Sequence, residues 1–131
     1  MSRWLSSVAL LVCSTLANGQ EDYTVQAMAQ VRDFEVARFF PDSVRESRGE
    51  HLFDVTIRYA DPDEAPPQGA ASRKVSYRAR CDSNTLSVSL IVLRNVKGQT
   101  IKMITVPPGA EEYVKPPPGS REDDWLYRVC G

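Results

Sequence analysis

His51 is the only histidine in the 131-residue chain, so any imidazole base or imidazole metal ligand must be built on it. No companion stands at ligand spacing, and His51 opens the alternating stretch "HLFDVTIRYA", which makes it a histidine at the start or edge of a strand. The acidic run Asp61, Asp63 and Glu64 offers oxygen ligands for calcium. It lacks the fixed Asx and glycine spacing of a dedicated calcium loop and reads as a solvated turn. There is no nucleophile elbow, no glycine-rich phosphate loop and no helix pairing His with Glu. The chain therefore reads as a non-enzyme that needs no metal or cofactor.

The thiols are Cys13, Cys81 and Cys130. Cys13 lies inside "MSRWLSSVALLVCSTLANGQ", whose charged start, apolar middle and small residues Ala17 and Gly19 have the form of a secretory signal peptide, residues 1–19, cleaved before Gln20. The apolar stretch is shorter than the roughly 20 residues of a membrane-spanning helix. The expected mature chain, residues 20–131, is a single domain, exported to the periplasm or the outer cell surface. Arg3 is the only charged residue removed, so 15 basic side chains remain against 17 acidic ones. That balance disfavours generic nucleic-acid binding. Two cysteines then remain, and in an exported domain they most simply form one disulfide, Cys81–Cys130.

Binding chemistry is concentrated in one place. Lys74, Arg78 and Arg80 recur with period two in "RKVSYRARC", so they share the outward face of a strand. If "HLFDVTIRYA" is the neighbouring strand, Arg58 joins them. Such a cationic stripe in an acidic domain suits an anionic partner, a sulfated glycan or an acidic protein patch. The plainer reading is that exposed strand faces carry charge and so avoid edge-to-edge association.

These side chains need a sheet to hold them. Phe53, Val55, Ile57 and Tyr59 alternate with Asp54, Thr56 and Arg58, the pattern of a half-buried antiparallel strand. Val75, Tyr77, Ala79 and Cys81 alternate with the cations in the same way, and a Pro- and Gly-broken loop over 61–72 separates the two segments. In "LSVSLIVLR", Leu86, Val88, Leu90 and Val92 make one apolar row, and Ile91 and Leu93 begin a second. A strand apolar on both sides is central or covered. "NVKG" supplies a turn, and "QTIKMITV" the partner strand that Pro107 and Pro108 end. "DFEVARFF" and "SVRES" predict shorter strands, and residues 21–30, ambiguous in pattern, are assigned to strand.

After "KPPPG" the pattern changes. The prolines at 116–118 form either a polyproline recognition segment or a stiff entry to the next element, and the latter is preferred. Ser120 can cap a helix with Glu122, Asp123 and Asp124 at its positive end, and Trp125, Leu126, Val129 and Cys130 fall on one side of it. So short a helix needs external support. A Cys81–Cys130 disulfide would pin it across the apolar side of the sheet. The expected fold is α+β: about five or six antiparallel strands and a short C-terminal helix tethered by that disulfide.

The segment "FFPDSVRESRGEHLFDVTIRYADP" resembles the opening pattern of the surface-adhesin protein E family of Gram-negative envelopes, through Phe40, Asp42, Ser43, Val44, Gly49 and Phe53 to Tyr59. The resemblance resumes at "YRARC" and at the terminal "LYRVC", and covers residues 36–131. It implies an antiparallel sheet with a disulfide-held C-terminal helix, and attachment to a host extracellular-matrix or serum protein. An alternative is a periplasmic accessory protein of envelope assembly. A third reading is a lysozyme-type hydrolase inhibitor, using the loops at 61–72 or 107–119. An open sheet edge would also allow a homodimer.

Overall fold

The structure is a computed structural model, and it describes residues 25–66 and 69–131. The signal peptide expected over residues 1–19 falls outside the described residues. The chain divides into two units, Met1–Gln30 and Val31–Gly131. In the first, residues 25–29 are helical, which corrects the strand assignment there. The sequence "VQAMA" explains the difference: Gln, Ala and Met are strong helix formers, and only Val25 is β-branched.

The second unit is a six-stranded antiparallel sheet with one C-terminal helix. Its strands are β1 (Glu35–Phe39), β2 (Arg45–Ser47), β3 (Glu50–Tyr59), β4 (Ser72–Arg80), β5 (Thr85–Arg94) and β6 (Thr100–Thr105), and the helix spans Arg121–Cys130. The order is β1-β3-β4-β5-β6, with β2 also paired to β3. β1 takes the Val55–Tyr59 half of one edge of β3, and β2 takes the Glu50–Leu52 half. The turn between β2 and β3 holds Arg48 and Gly49 at φ 55° and 79°, the two left-handed residues that a two-residue hairpin needs to match strand twist.

Register sorts the side chains as alternation predicts across β3 and β4. Phe53 faces Tyr77 and Val55 faces Val75 on one side; Asp54 faces Ser76 and Thr56 faces Lys74 on the other. β5 departs from simple alternation. Ser76 pairs with Leu90 but Tyr77 pairs with Val88, so Ser89 is an inserted residue. This bulge cuts the predicted row in two. Leu86 and Val88 lie with Tyr77 and Ala79, whereas Leu90 and Val92 cross to the side of Ser76 and Lys74, leaving Ile91 opposite Val75. Ser89 is fixed in place by its hydroxyl, which donates to the Ser76 carbonyl at 3.0 Å.

The core lies on the side of Phe53, Val55, Ile57, Val75 and Ile91, all fully buried. A run of aromatic contacts crosses it: Phe39 meets Phe53 edge-on at 5.6 Å, Phe53 stacks on Tyr77 at 5.3 Å, and Tyr77 meets Trp125 at 6.0 Å. Burial pushes the Tyr77 phenol well above its ordinary range. Trp125 and Leu126 are the buried residues of the C-terminal helix. Ser120 caps that helix, its hydroxyl accepting from the Asp123 N–H at 3.1 Å, and Asp124 pairs with Arg128 at 3.0 Å. Cys130 is bonded to Cys81 with a Cα separation of 5.4 Å. The helix is thus held to the core side by the tether anticipated from the sequence.

One charged pair shares that side. Arg73 donates to both carboxylate oxygens of Glu35, at 2.5 and 2.9 Å, and the Arg32 N–H donates to the same carboxylate at 3.1 Å. Burial alone would raise the Glu35 carboxyl; the hydrogen bonds from Arg73 and Arg32 and their positive charges outweigh it and hold the group below its ordinary value. The guanidinium of Arg121 donates to the Glu35 carbonyl at 3.2 Å, tying the start of the helix to β1.

Candidate functional site

The second side of the sheet carries the cations singled out in the sequence. Arg58, on β3, pairs in register with Ser72; Lys74, Arg78 and Arg80 follow along β4. The structure therefore places all four on one side, but it does not leave them as a free positive stripe. Lys74 lies 3.5 Å from Asp54, and Arg80 lies 3.4 Å from Glu50. Asp54 is a hub: it also accepts from Ser76 at 2.7 Å and lies 4.0 Å from Arg45. Arg58 is exposed and donates to the carbonyl of Tyr59. Arg78, half-buried opposite Leu52 and Ser87, forms no ion pair among the described residues. Ser87 is buried beside it, and its hydroxyl lacks a hydrogen-bond partner among the described residues.

The sequence did not disclose what lies over this side. Residues 107–119 run back along β5, where Leu86 and Val114 exchange backbone hydrogen bonds at 2.9 and 2.8 Å. From there Tyr113 reaches across the sheet. The Arg80 guanidinium sits 3.6 Å from its ring centroid, and its hydroxyl donates to Glu50. Burial, and the bond to the Glu50 carboxylate, raise the Tyr113 phenol. The loop proposed as an inhibitor's insertion element is therefore clasped to the sheet at Val114 and Tyr113. Pro116 is buried, and the Ser120 N–H donates to the Pro117 carbonyl at 3.1 Å, so the proline run turns directly into the helix cap.

The "FFPDS" segment is organised by Ser43. It ends a 3-10 turn, Pro41–Ser43, and its hydroxyl donates to the Phe40 carbonyl at 2.6 Å while accepting from the Asp54 N–H at 2.9 Å. These bonds extend β1 past its last residue onto β3. Asp61 caps its own short turn by accepting from the Asp63 N–H at 3.0 Å. Among the described residues no cluster of His, Cys, Asp and Glu could hold a metal ion, and no helix is long and apolar enough to cross a membrane.

A group of exposed apolar residues lies at the far end of the sheet. Met103 is 61% exposed, Val96 57% and Ile101 48%. β6 is the last strand in the order, and among the described residues none pairs with its outer edge. The Val106 N–H donates inward to Ser89 at 3.0 Å. Alternation then turns the backbone groups of Thr105 and Met103 outward. β6 is thus an unpaired edge with bare apolar side chains, broken by a single charge at Lys102 and closed by Pro107 and Pro108.

No family model, curated protein or solved structure matches the chain.

Proposed function

We propose that this protein is an exported binding module without enzymatic activity, which captures an extended segment of a partner protein along the free edge of β6 in the manner of a surface adhesin. The observation that carries the reading is this edge, where outward backbone groups of Met103 and Thr105 stand beside the exposed side chains of Ile101 and Met103. Adding a strand to an open edge gives affinity through main-chain hydrogen bonds and selectivity through alternate side chains. The resemblance to the protein E family supports a host matrix or serum protein as partner. Docking of an anionic glycan on Arg58, Lys74, Arg78 and Arg80 has weaker support, because Asp54 and Glu50 already neutralise Lys74 and Arg80.

The test has two stages. Protease shaving of intact cells should remove the domain if it is displayed; protection until the outer membrane is opened would favour the periplasmic accessory role. Binding to immobilised extracellular-matrix proteins should then be lost in Thr105→Pro, which deletes an outward N–H while leaving the β5 ladder bonded. Arg78→Glu with Arg80→Glu should leave binding in place. Unchanged binding by the proline variant would sink the edge as the platform, and inhibition of lysozyme would favour the inhibitor reading.

A further inference from the structure

The two sulfurs of the disulfide have unlike surroundings. Cys81 Sγ lies 3.5 Å from Nδ1 of His51, and Nε2 of the same ring lies 3.6 Å from Oε1 of Glu46. Register explains the grouping: Glu46 opposes His51 across β2 and β3, and His51 opposes Ala79, two residues before Cys81. When both of its ring nitrogens carry a proton, an imidazole held between a carboxylate and a sulfur donates to each and stabilises negative charge on the sulfur. Asp82, next in the chain, is exposed, so solvent screens its charge. Cys130 has the opposite setting. It is the last residue of the C-terminal helix, where the carbonyl end of the helix dipole disfavours an anion. The nearby cation Arg128 is engaged by Asp124. Both cysteines are partly exposed, so a small thiol can approach.

We infer that the Cys81–Cys130 disulfide is a directional thiol-exchange site, in which a low-molecular-weight thiol is captured on Cys130 and Cys81 departs as a thiolate held by His51. The incoming thiolate attacks Cys130 Sγ. A new S–S bond forms there as the Cys81–Cys130 bond breaks, and the electron pair leaves on Cys81 Sγ, where the Nδ1–H of the doubly protonated His51 ring meets it. The incoming thiol is oxidised to the mixed disulfide, and Cys81 is reduced. Exchange rates rise as the departing thiolate is better stabilised, so the asymmetry selects which sulfur is attacked. Cys130 becomes the modification site, and the helix loses its covalent tether to the sheet.

The experiment treats the oxidised full chain with reduced glutathione, quenches with acid, alkylates free thiols and maps the products by peptide mass spectrometry. Glutathione is expected on Cys130 over Cys81 by about tenfold, the order that a stabilised leaving thiolate gives. His51→Gln, which keeps the bulk of the side chain, should slow exchange by a similar factor and erase the preference. The same reaction on the chain unfolded in denaturant should also show no preference, because both the imidazole contact and the helix dipole are then gone. Equal labelling of the two cysteines in the folded protein would overturn the inference. So would a preference that survives unfolding, or exchange in His51→Gln that is unchanged or faster, the last being the result if the histidine served only to stabilise the sheet.

Discussion

Removing the carboxylate of Glu35 should be among the most damaging single changes to this domain. Its side chain is 4% exposed and that of Arg73 13%, so the pair meets in the core. Glu35 accepts two guanidinium bonds and one backbone N–H. Glu35→Ala takes both carboxylate bonds from the largely buried Arg73 guanidinium and leaves a void beside it, and breaking such a pair costs about 3–5 kcal/mol. Glu35→Gln keeps the shape but offers one acceptor where two stood, and turns an amide N–H₂ towards the guanidinium. Losing one charge-assisted bond there should cost about 2–3 kcal/mol. The pH dependence follows from the lowered carboxyl. The unfolded chain binds the proton more readily than the folded one, so the contribution is complete above the ordinary glutamate range and fades as pH falls through the folded value. Urea unfolding at neutral pH, and again across the acid range below about pH 4.5, measures both effects. Wild type should lose its advantage over Glu35→Gln as the solution is acidified. Replacing both partners with apolar residues, Glu35→Leu with Arg73→Met, should recover most of the stability lost in Glu35→Ala. A neutral-pH loss below about 1 kcal/mol in Glu35→Ala, the level of an exposed pair, would refute the reasoning. An acid profile identical in wild type and Glu35→Gln would refute it equally.

Three further outcomes are expected. Changing both Cys81 and Cys130 to Ser opens a loop of sequence separation 49 and should lower unfolding stability by about 4 kcal/mol, read as a shift in the urea midpoint. Trp125→Ala removes the helix residue that meets Tyr77 and should cost about 3–5 kcal/mol; amide exchange along the helix should accelerate with it. Ser120→Ala deletes the cap on Asp123 and should cost about 1 kcal/mol by thermal or urea unfolding.

Period-two alternation in β3 and β4 was legible because each strand has one dry side, so hydrophobicity reports orientation directly. The helix was legible from its cap, its acidic first turn and the Trp125 and Leu126 stripe, and the disulfide from two cysteines of matching orientation. β5 was harder. Both of its sides are covered, so its apolar residues carry no directional signal, and nothing in "LSVSL" marks Ser89 as the inserted residue. The cationic side chains were placed correctly, but their neutralisation was not seen. Asp54 was legible as their neighbour on the outward side, yet an ion pair depends on register, and the sequence does not print register. Tyr113 was missed for a related reason. Its loop earns its place by one bridge at Val114 and one ring over Arg80, contacts between residues far apart in the chain. Glu35 and Arg73 fell on the apolar side, where alternation gives no warning of a charged pair.

The bulge at Ser89 has a consequence for how this domain can vary. β5 offers its outer edge to two unrelated segments, β6 against Leu90–Arg94 and Val114 against Leu86. The inserted residue lies between them, its carbonyl accepting from the Val106 N–H at 3.0 Å. The turn at residues 95–99 lies beyond both and can be lengthened, shortened or exchanged without moving the clasp that seats Tyr113 over Arg80. A sheet with such a joint keeps a constant body and a replaceable tip. Grafting a foreign turn in place of residues 95–99, beyond the buried Ile91 and Val92, is the substitution this architecture is built to accept.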